Sequence, residues 1–395
     1  MQTRTNKMTA FSILSLSLLT MTPGAVSATV PGIIKAFPGT SQQLAESTIT
    51  ATSFTMALFI LISSVLVKKI GTKKVVLAGL ALVACSTILA ILAPNVTVLY
   101  YSRILLGAGI GLFNALCVSL LGYFYTGRER EKLLGFQNTF QGLGAAGGSL
   151  LVALILMVAN WRVAYIIYLI SFVIFLFYLR FVPEVRYDQP TSTDAKAKEP
   201  DAHLSVGNIL NFSYYWIVLF LMMIFYVTVT VKITTYILKN HFGSLSIGSS
   251  AVVIMSIGTI IAGTCYGKLH DYFGHGTLIL AIVIEVLGAA LLAFAHNALA
   301  CTVGALLVGT SFGFFIPFVF SIGLAFVPKK YGNDATTIMM MSTNAATFSC
   351  PYFDHLLAGG LSNRHLFTMF TWVLLVIGII ETVKFWQNHR QRLTH

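Results

Sequence analysis

Charged residues are scarce in this sequence. Only 10% of its 395 residues are Asp, Glu, Lys or Arg, whereas 56% are hydrophobic. Soluble domains carry about 25% charged residues, because a water-soluble fold needs polar side chains over much of its surface. The composition therefore excludes an ordinary soluble protein and predicts an integral membrane protein.

Three further absences exclude whole classes of function. The five cysteines lie inside apolar runs without paired spacing, so we expect neither a disulfide framework nor a metal site. No Walker motif is present to bind a nucleotide. The enzyme-like strings Gly309–Gly313 and Gly142–Gly147 also lie inside apolar runs, without the preceding strand that such motifs require. We therefore predict that the protein is not an enzyme and binds no cofactor.

Apolar runs recur along the whole chain. A helix needs about 20 residues to cross about 30 Å of hydrocarbon, and twelve runs approach or exceed that length. The sequence predicts an all-α polytopic membrane protein with twelve transmembrane helices. These spans are residues 8–34, 47–67, 75–93, 98–125, 133–159, 163–182, 212–238, 247–267, 277–295, 299–327, 335–360 and 366–386. We expect the first span to be retained, because it is too long for the apolar region of a signal peptide.

The longest polar segment divides the spans into two sets of six. Residues 184–205 combine prolines with mixed charges, which is typical of a flexible linker. We predict an N-terminal six-helix bundle over residues 1–183 and a C-terminal bundle over residues 206–395. Lys and Arg concentrate in alternate loops, which places both termini and the linker in the cytoplasm of a cell-membrane protein. That spread of basic residues also argues against a nucleic-acid partner, despite the net charge of +12.

The two halves share sequence features. The turn Gly267-Lys-Leu-His-Asp-Tyr-Phe-Gly274 has a weaker copy ending at Gly71. The string Gly107-x-x-x-Gly111 in the fourth span recurs as Gly309-x-x-x-Gly313 in the tenth. An internal repeat of six helices is a transporter architecture, in which substrate binds between the repeats.

The sequence resembles the major facilitator superfamily, and most closely its bacterial drug–proton antiporters. The resemblance is carried by these repeated residues, by Arg103 before Gly107 and by the pair Trp161-Arg162. The resemblance implies twelve helices in two six-helix repeats around a central cavity that opens alternately to the two sides of the membrane. Two departures stand out. Lys68 occupies a position that is usually Asp, and Leu106 one that is often Gln.

Polar residues inside the spans are the candidates for the substrate site, since a charge at a helix centre costs about 2.5–3.5 kcal/mol on insertion scales. Arg103 either faces the cavity, forms a hydrogen-bond hub or extends to the interface. Lys232 shares a helical face with Thr228 and Tyr236, and it either lines the cavity or reaches the outer interface. The full set of predicted substrate contacts is Arg103, Asn114, Gln137, Gln141, Lys232, Tyr236 and Asn344.

Three acids are candidates for coupling and gating. Glu285 in the ninth span is a candidate proton carrier, because burial favours the neutral form of a carboxyl group. A structural contact with a buried polar group is the alternative. Asp354 in the eleventh span either lines the cavity or marks its mouth, and we predict it as a second proton-coupling residue. Asp271 is predicted to gate the cytoplasmic side, the alternative being a solvated loop carboxylate.

The sequence as a whole predicts a secondary active transporter. We expect proton-coupled efflux of drugs or small amphipathic metabolites, by a monomer whose partners are its substrate, protons and the bilayer. The first span has no acid, however, and Lys35, Arg103 and Lys232 make the outer half of the predicted cavity potentially cationic. The alternative is therefore uptake or exchange of a small organic anion, whose carboxylate would pair with Arg or Lys.

Overall fold

The computed structural model describes residues 7–125, 127–184, 205–328, 332–358 and 362–393. These residues form α-helices and two short 3₁₀ segments, with no strand in the described ranges. The chain divides into two compact units, unit 1 over Met1–Ala202 and unit 2 over His203–His395. Most of the predicted linker, residues 185–204, lies outside the described residues.

The described residues of unit 1 form seven α-helices. They are α1 Lys7–Thr20, α2 Val30–Ala36, α3 Gln42–Ile70, α4 Thr72–Ile91, α5 Val96–Phe124, α6 Gly127–Val158 and α7 Ile170–Phe181. The 3₁₀ segment Ala25–Thr29 precedes α2, and the segment Val163–Leu169 leads directly into α7.

In the described part of unit 2 there are six α-helices. They are α8 Val206–Lys239, α9 Leu245–Phe273, α10 Gly276–Ala293, α11 Ala298–Ala325, α12 Gly332–Ala358 and α13 Asn363–Leu393. Ten described helical stretches are long and apolar enough to cross a membrane, and the bent pair of α1 with Ala25–Ala36 makes eleven. The helix at the remaining predicted span, α12, is 27 residues long but carries many Ser, Thr and Asn side chains. The prediction of an all-α polytopic membrane protein is confirmed.

The first span differs from its prediction. The sequence predicts one continuous helix over residues 8–34, whereas the structure breaks it after Thr20 and bends it by 41°. The break contains Pro23 and Gly24. Proline has no backbone N–H to donate and glycine disfavours a helix interior, so both residues favour an interruption here.

The two units begin equivalent helices in the same way. Asn95 precedes α5, and its side-chain oxygen accepts a hydrogen bond from Val98 N at 2.9 Å. Asn297 precedes α11 and accepts from Ala300 N at 2.8 Å. An asparagine before a helix satisfies a backbone N–H that has no partner within the helix. The repeat seen in the sequence therefore extends to the starts of these helices.

Packing inside the units follows one scheme. In unit 1, α5 packs against α3 and α4, and α1 packs against α6. In unit 2, α11 packs against α9 and α10, and α8 packs against α12. A side chain at Gly107 would collide with Thr52 of α3, and one at Gly309 with Met255 of α9. The repeated glycines allow the same close approach of helices in each unit.

Each unit contains an arginine that donates a hydrogen bond to a carbonyl near the end of an equivalent helix. Arg162 donates from Nη2 to the carbonyl of Ala93 at 2.9 Å, just beyond the end of α4. Arg364 donates from Nη2 to the carbonyl of Ala295 at 2.8 Å, just beyond the end of α10. A cation beside terminal carbonyls stabilises the C-terminal end of a helix. Arg162 and Arg364 thus make equivalent contacts in the two units.

Candidate functional site

Unit 2 contains an ion pair between two of the predicted site residues. Lys232 Nζ of α8 lies 3.6 Å from Asp354 Oδ2 of α12. Lys232 is only 6% exposed and Asp354 only 1% exposed. We call this contact the α8–α12 ion pair. The structure brings together a cation and an acid that the sequence analysis had assigned to separate roles.

Two uncharged side chains surround the acid. The Thr228 hydroxyl lies 2.8 Å from Asp354 Oδ1 and also 2.8 Å from the carbonyl of Ile224. Cys350 Sγ lies 3.6 Å from Asp354 Oδ2 and 3.3 Å from Thr228 Oγ1. Thr228 and Lys232 are one turn apart on α8, as Cys350 and Asp354 are on α12, so each helix presents two polar groups on one face.

Arg103 occupies the polar centre of unit 1. It is 1% exposed, and its donors reach the carbonyls of Thr48 at 3.3 Å and Pro23 at 3.1 Å. Its Nη2 also lies 3.3 Å from the Tyr168 hydroxyl, which in turn donates to Thr22 O at 3.0 Å. We call this cluster the Arg103 hub.

The hub lies at the break in the first span. An interrupted helix leaves backbone carbonyls without their usual N–H partners, and inside a membrane no bulk water satisfies them. The Arg103 guanidinium also lies 5.4 Å from the centroid of the Tyr165 ring and 5.1 Å from that of Tyr168, distances typical of cation–π contacts. These contacts support the hydrogen-bond hub among the three readings of Arg103.

Glu285 has different surroundings from Asp354. It is fully buried on α10, and its Oε2 lies 3.2 Å from the hydroxyl of Ser311 on α11. Its Oε1 has no hydrogen-bond partner within the described part of the chain. The predicted proton-coupling residues Glu285 and Asp354 therefore lie in separate clusters of unit 2.

The other predicted substrate contacts are more scattered. Tyr236 donates from its hydroxyl to Leu292 O of α10 at 3.0 Å, which ties α8 to α10. Asn344 donates to Met340 O of its own helix at 2.9 Å. Gln137 is buried on α6, whereas Gln141 of α6 and Asn114 of α5 are half-buried. Their roles in substrate binding stay predictions.

Asp271 is exposed in the last turn of α9, three residues before Gly274. Its gating role also stays a prediction. Sequence reasoning missed Tyr168, Cys350 and Ser311, which contact Arg103, Asp354 and Glu285 respectively. Each except Cys350 lies on a different helix from its partner, so no local spacing could have identified it. Among the described residues, no group of three His, Cys, Asp or Glu side chains is arranged to hold a metal.

Comparisons with known proteins agree on one family. The family model described as Major Facilitator Superfamily matches residues 10–351. A methylenomycin A resistance protein from Streptomyces coelicolor is 28% identical over 151 residues, which are 35% of this chain and 32% of that protein. The alignment thus spans about a third of that relative's length.

Several solved transporter structures have similar folds. The nucleoside transporter NupG has a TM-score of 0.76 at 13% identity, covering 95% of this chain and 99% of that one. A peptide transporter POT, in complex with sulfate, has a TM-score of 0.75 at 14% identity, covering 95% and 93%. A D-xylose-proton symporter has a TM-score of 0.72 at 17% identity, covering 94% and 96%. At these identities the likeness concerns the fold.

Proposed function

The chain belongs to the Major Facilitator Superfamily, and from that premise we propose that it exports small amphipathic compounds in exchange for protons. Membership makes it a multi-pass membrane transporter and not an enzyme. The α8–α12 ion pair is the observation that supports proton coupling. Alternating access of the two repeats, which the family resemblance implies, is the motion that we propose the proton drives.

Asp354 suits a site that gains and loses a proton. When it is ionised, Lys232 at 3.6 Å balances its charge and the Thr228 hydroxyl donates to it. When it is protonated, it can donate to Thr228, because that hydroxyl has a second acceptor in Ile224 O. The site therefore offers hydrogen bonds to both forms of the carboxyl group.

Protonation must also alter the contact between α8 and α12. It removes the negative charge that faces Lys232, and loss of one charge of a buried ion pair costs about 3–5 kcal/mol. A rearrangement that changes the surroundings of Lys232 would recover part of that free energy. Binding of a proton at Asp354 is thus linked to the packing of two helices in unit 2.

The proposed direction and cargo are supported by the sequence relative. The methylenomycin A resistance protein is named for resistance to an antibiotic, and the aligned part covers 35% of this chain. Export of an amphipathic compound would give such resistance. The proposal also includes a cell-membrane location and a monomeric state. It further places both termini in the cytoplasm, which the distribution of Lys and Arg supports.

The alternative, transport of a small organic anion, rests on Arg103 and Lys232 as anchors for a carboxylate. In the structure Lys232 faces Asp354, and Arg103 faces carbonyl and hydroxyl oxygens. An anion would have to compete with these partners. The observed contacts therefore favour proton-coupled export.

The test is uptake of ethidium into proteoliposomes with an acidic lumen, compared for wild type, Asp354→Asn and the control Glu381→Gln. Glu381 is a buried acid of α13, outside the ion pair. Under exchange, protons leaving the lumen drive ethidium in, and we expect a roughly tenfold or larger loss of this rate in D354N only, equivalent to about 1.4 kcal/mol. Equal rates with and without the pH gradient in wild type would contradict the proposal. Benzoate uptake driven by an acidic exterior would instead support the anion transporter.

A further inference from the structure

Glu285, another buried acid of unit 2, has surroundings that suit only one protonation state. It is 0% exposed in the middle of α10. Its oxygen Oε2 lies 3.2 Å from Ser311 Oγ, and the same hydroxyl lies 2.8 Å from the carbonyl of Ala281. The three groups form a short chain that joins α10 to α11.

Counting protons along this chain favours the neutral form of the acid. The carbonyl of Ala281 can only accept, and the Ser311 hydroxyl has one hydrogen to donate. If Glu285 is ionised, two acceptors compete for that hydrogen. If Glu285 carries a proton on Oε2, it donates to Ser311 and Ser311 donates to Ala281, so that both contacts are full hydrogen bonds.

Among the described residues, no cation lies close enough to Glu285 to offset an ionised form. Neither α10 nor α11 contains a Lys, Arg or His. On α13, which also packs against α10, Arg364 donates to Ala295 O and Lys384 lies over the Tyr214 ring. The basic residues of α9 (Lys268 and His270) and the acid Asp271 lie in its last turns. A buried carboxylate without a nearby cation is far less stable than the neutral acid.

The surroundings of Glu285 and Asp354 share one feature and differ in another. At each site a hydroxyl lies between the carboxyl group and a backbone carbonyl, Thr228 at Asp354 and Ser311 at Glu285. Both sites therefore accommodate a protonated acid. Only Asp354 has a cation within 4 Å among the described groups, namely Lys232 at 3.6 Å, so only Asp354 also accommodates the ionised form.

We propose that Glu285 keeps its proton throughout the transport cycle and, as a neutral hydrogen-bond donor, fixes α10 to α11 through Ser311. It is then a positioning residue and not the carrier of the coupled proton, which narrows the two coupling residues predicted from the sequence to one. Close packing supports a fixed contact, since a Cβ at Gly288 would lie 3.0 Å from Gly304 O of α11.

Infrared difference spectroscopy of the purified full-length protein tests this directly. The spectrum of wild type minus Glu285→Gln should contain the C=O band of a protonated carboxylic acid, both at neutral and at alkaline pH. Ser311→Ala should shift that band to higher frequency, because the acid loses its acceptor. The control Ser249→Ala should leave it unchanged, since the Ser249 hydroxyl donates to Ser246 O within α9. A purely steric role for Glu285 predicts no such shift.

Several results would overturn the proposal. Carboxylate bands in place of the C=O band would show an ionised group, and a band that disappears between neutral and alkaline pH would show a titrating one. If E285Q does not fold, the S311A variant still tests the proposal, because an unshifted C=O band in that variant would contradict the hydrogen bond between Glu285 and Ser311. The outcome is separate from the proposed function, since D354N can keep or lose its pH-gradient response whatever the Glu285 band shows.

Discussion

Each unit buries a cation, and the two cations have partners of different kinds. Arg103 in unit 1 is held by carbonyl and hydroxyl oxygens, whereas Lys232 in unit 2 faces the carboxylate of Asp354. The partners of Arg103 do not change charge near neutral pH. The partner of Lys232 does change charge when it binds a proton. Unit 1 therefore has a fixed polar centre, and unit 2 has one whose electrostatics a proton can alter.

This difference is built on a frame that the units share. The capping asparagines, the close glycine contacts and the arginines beyond α4 and α10 recur with nearly the same geometry. The polar centres break the repeat. Ala305 stands four residues before Gly309, where Arg103 stands four residues before Gly107. The repeat thus accounts for helix packing, and the departures from it account for the chemistry.

The largest expected effect comes from removing one member of the α8–α12 ion pair. Lys232→Met leaves Asp354 without its cation and should lower the free energy of unfolding by about 3–5 kcal/mol. The double variant with Asp354→Leu should recover much of that loss, because neither charge remains buried. Thermal unfolding in detergent measures both. Asp354→Leu alone completes the cycle, and a loss in the double variant equal to the sum of the two single losses would mean that the pair contributes no coupling energy.

A smaller effect is expected in unit 1. Arg103→Met removes three hydrogen bonds from a charged donor, but at 3.1–3.3 Å they are longer than strong charge-assisted bonds, so we expect a total cost of about 1.5–3 kcal/mol of stability. Tyr168→Phe, which removes one neutral hydroxyl, should cost about 0.5–1.5 kcal/mol.

The Arg103→Met variant also tests the role of unit 1 in proton coupling. Per folded molecule, Arg103→Met should keep the pH-gradient dependence of ethidium transport, because no acid titrates in the Arg103 hub. Loss of that dependence with an intact fold would place Arg103 in the coupling machinery and weaken the contrast between the units.

The smallest effect tests the shared frame. Arg162→Ala and Arg364→Ala each remove one hydrogen bond to a carbonyl beyond a helix end, at 2.9 and 2.8 Å. We expect each to lower stability by about 1 kcal/mol, and by similar amounts. Melting temperatures of the two variants, measured side by side, check this. A large difference between the two melting temperatures would show that the equivalent hydrogen bonds contribute unequally to stability.

Much of the fold could be predicted from composition and repeats. Apolar runs identified the spans, and the repeated glycines indicated two similar halves, in which the structure contains equivalent contacts. The break at Pro23 was missed because the apolar run continues through it, so hydropathy alone indicated one helix.

The candidate site was harder to predict, for a physical reason. Spacing placed Thr228 and Lys232 on one face of α8, but it could not identify Asp354 as their partner, since that contact joins separate helices. Tyr236 was assigned to the same face, although its hydroxyl reaches α10. The acceptors of Arg103 at Thr48 and Pro23 are backbone carbonyls, which every residue possesses and no sequence pattern distinguishes.

The central claim is that Asp354 carries the proton exchanged for substrate. The most direct measurement is the pH inside proteoliposomes, reported by a trapped dye, when ethidium is added outside without an initial pH gradient. Inward movement of ethidium should raise the lumenal pH with wild type, because protons leave in exchange, and D354N should abolish that rise. An equal rise with D354N would show that another group carries the proton, and would contradict the account.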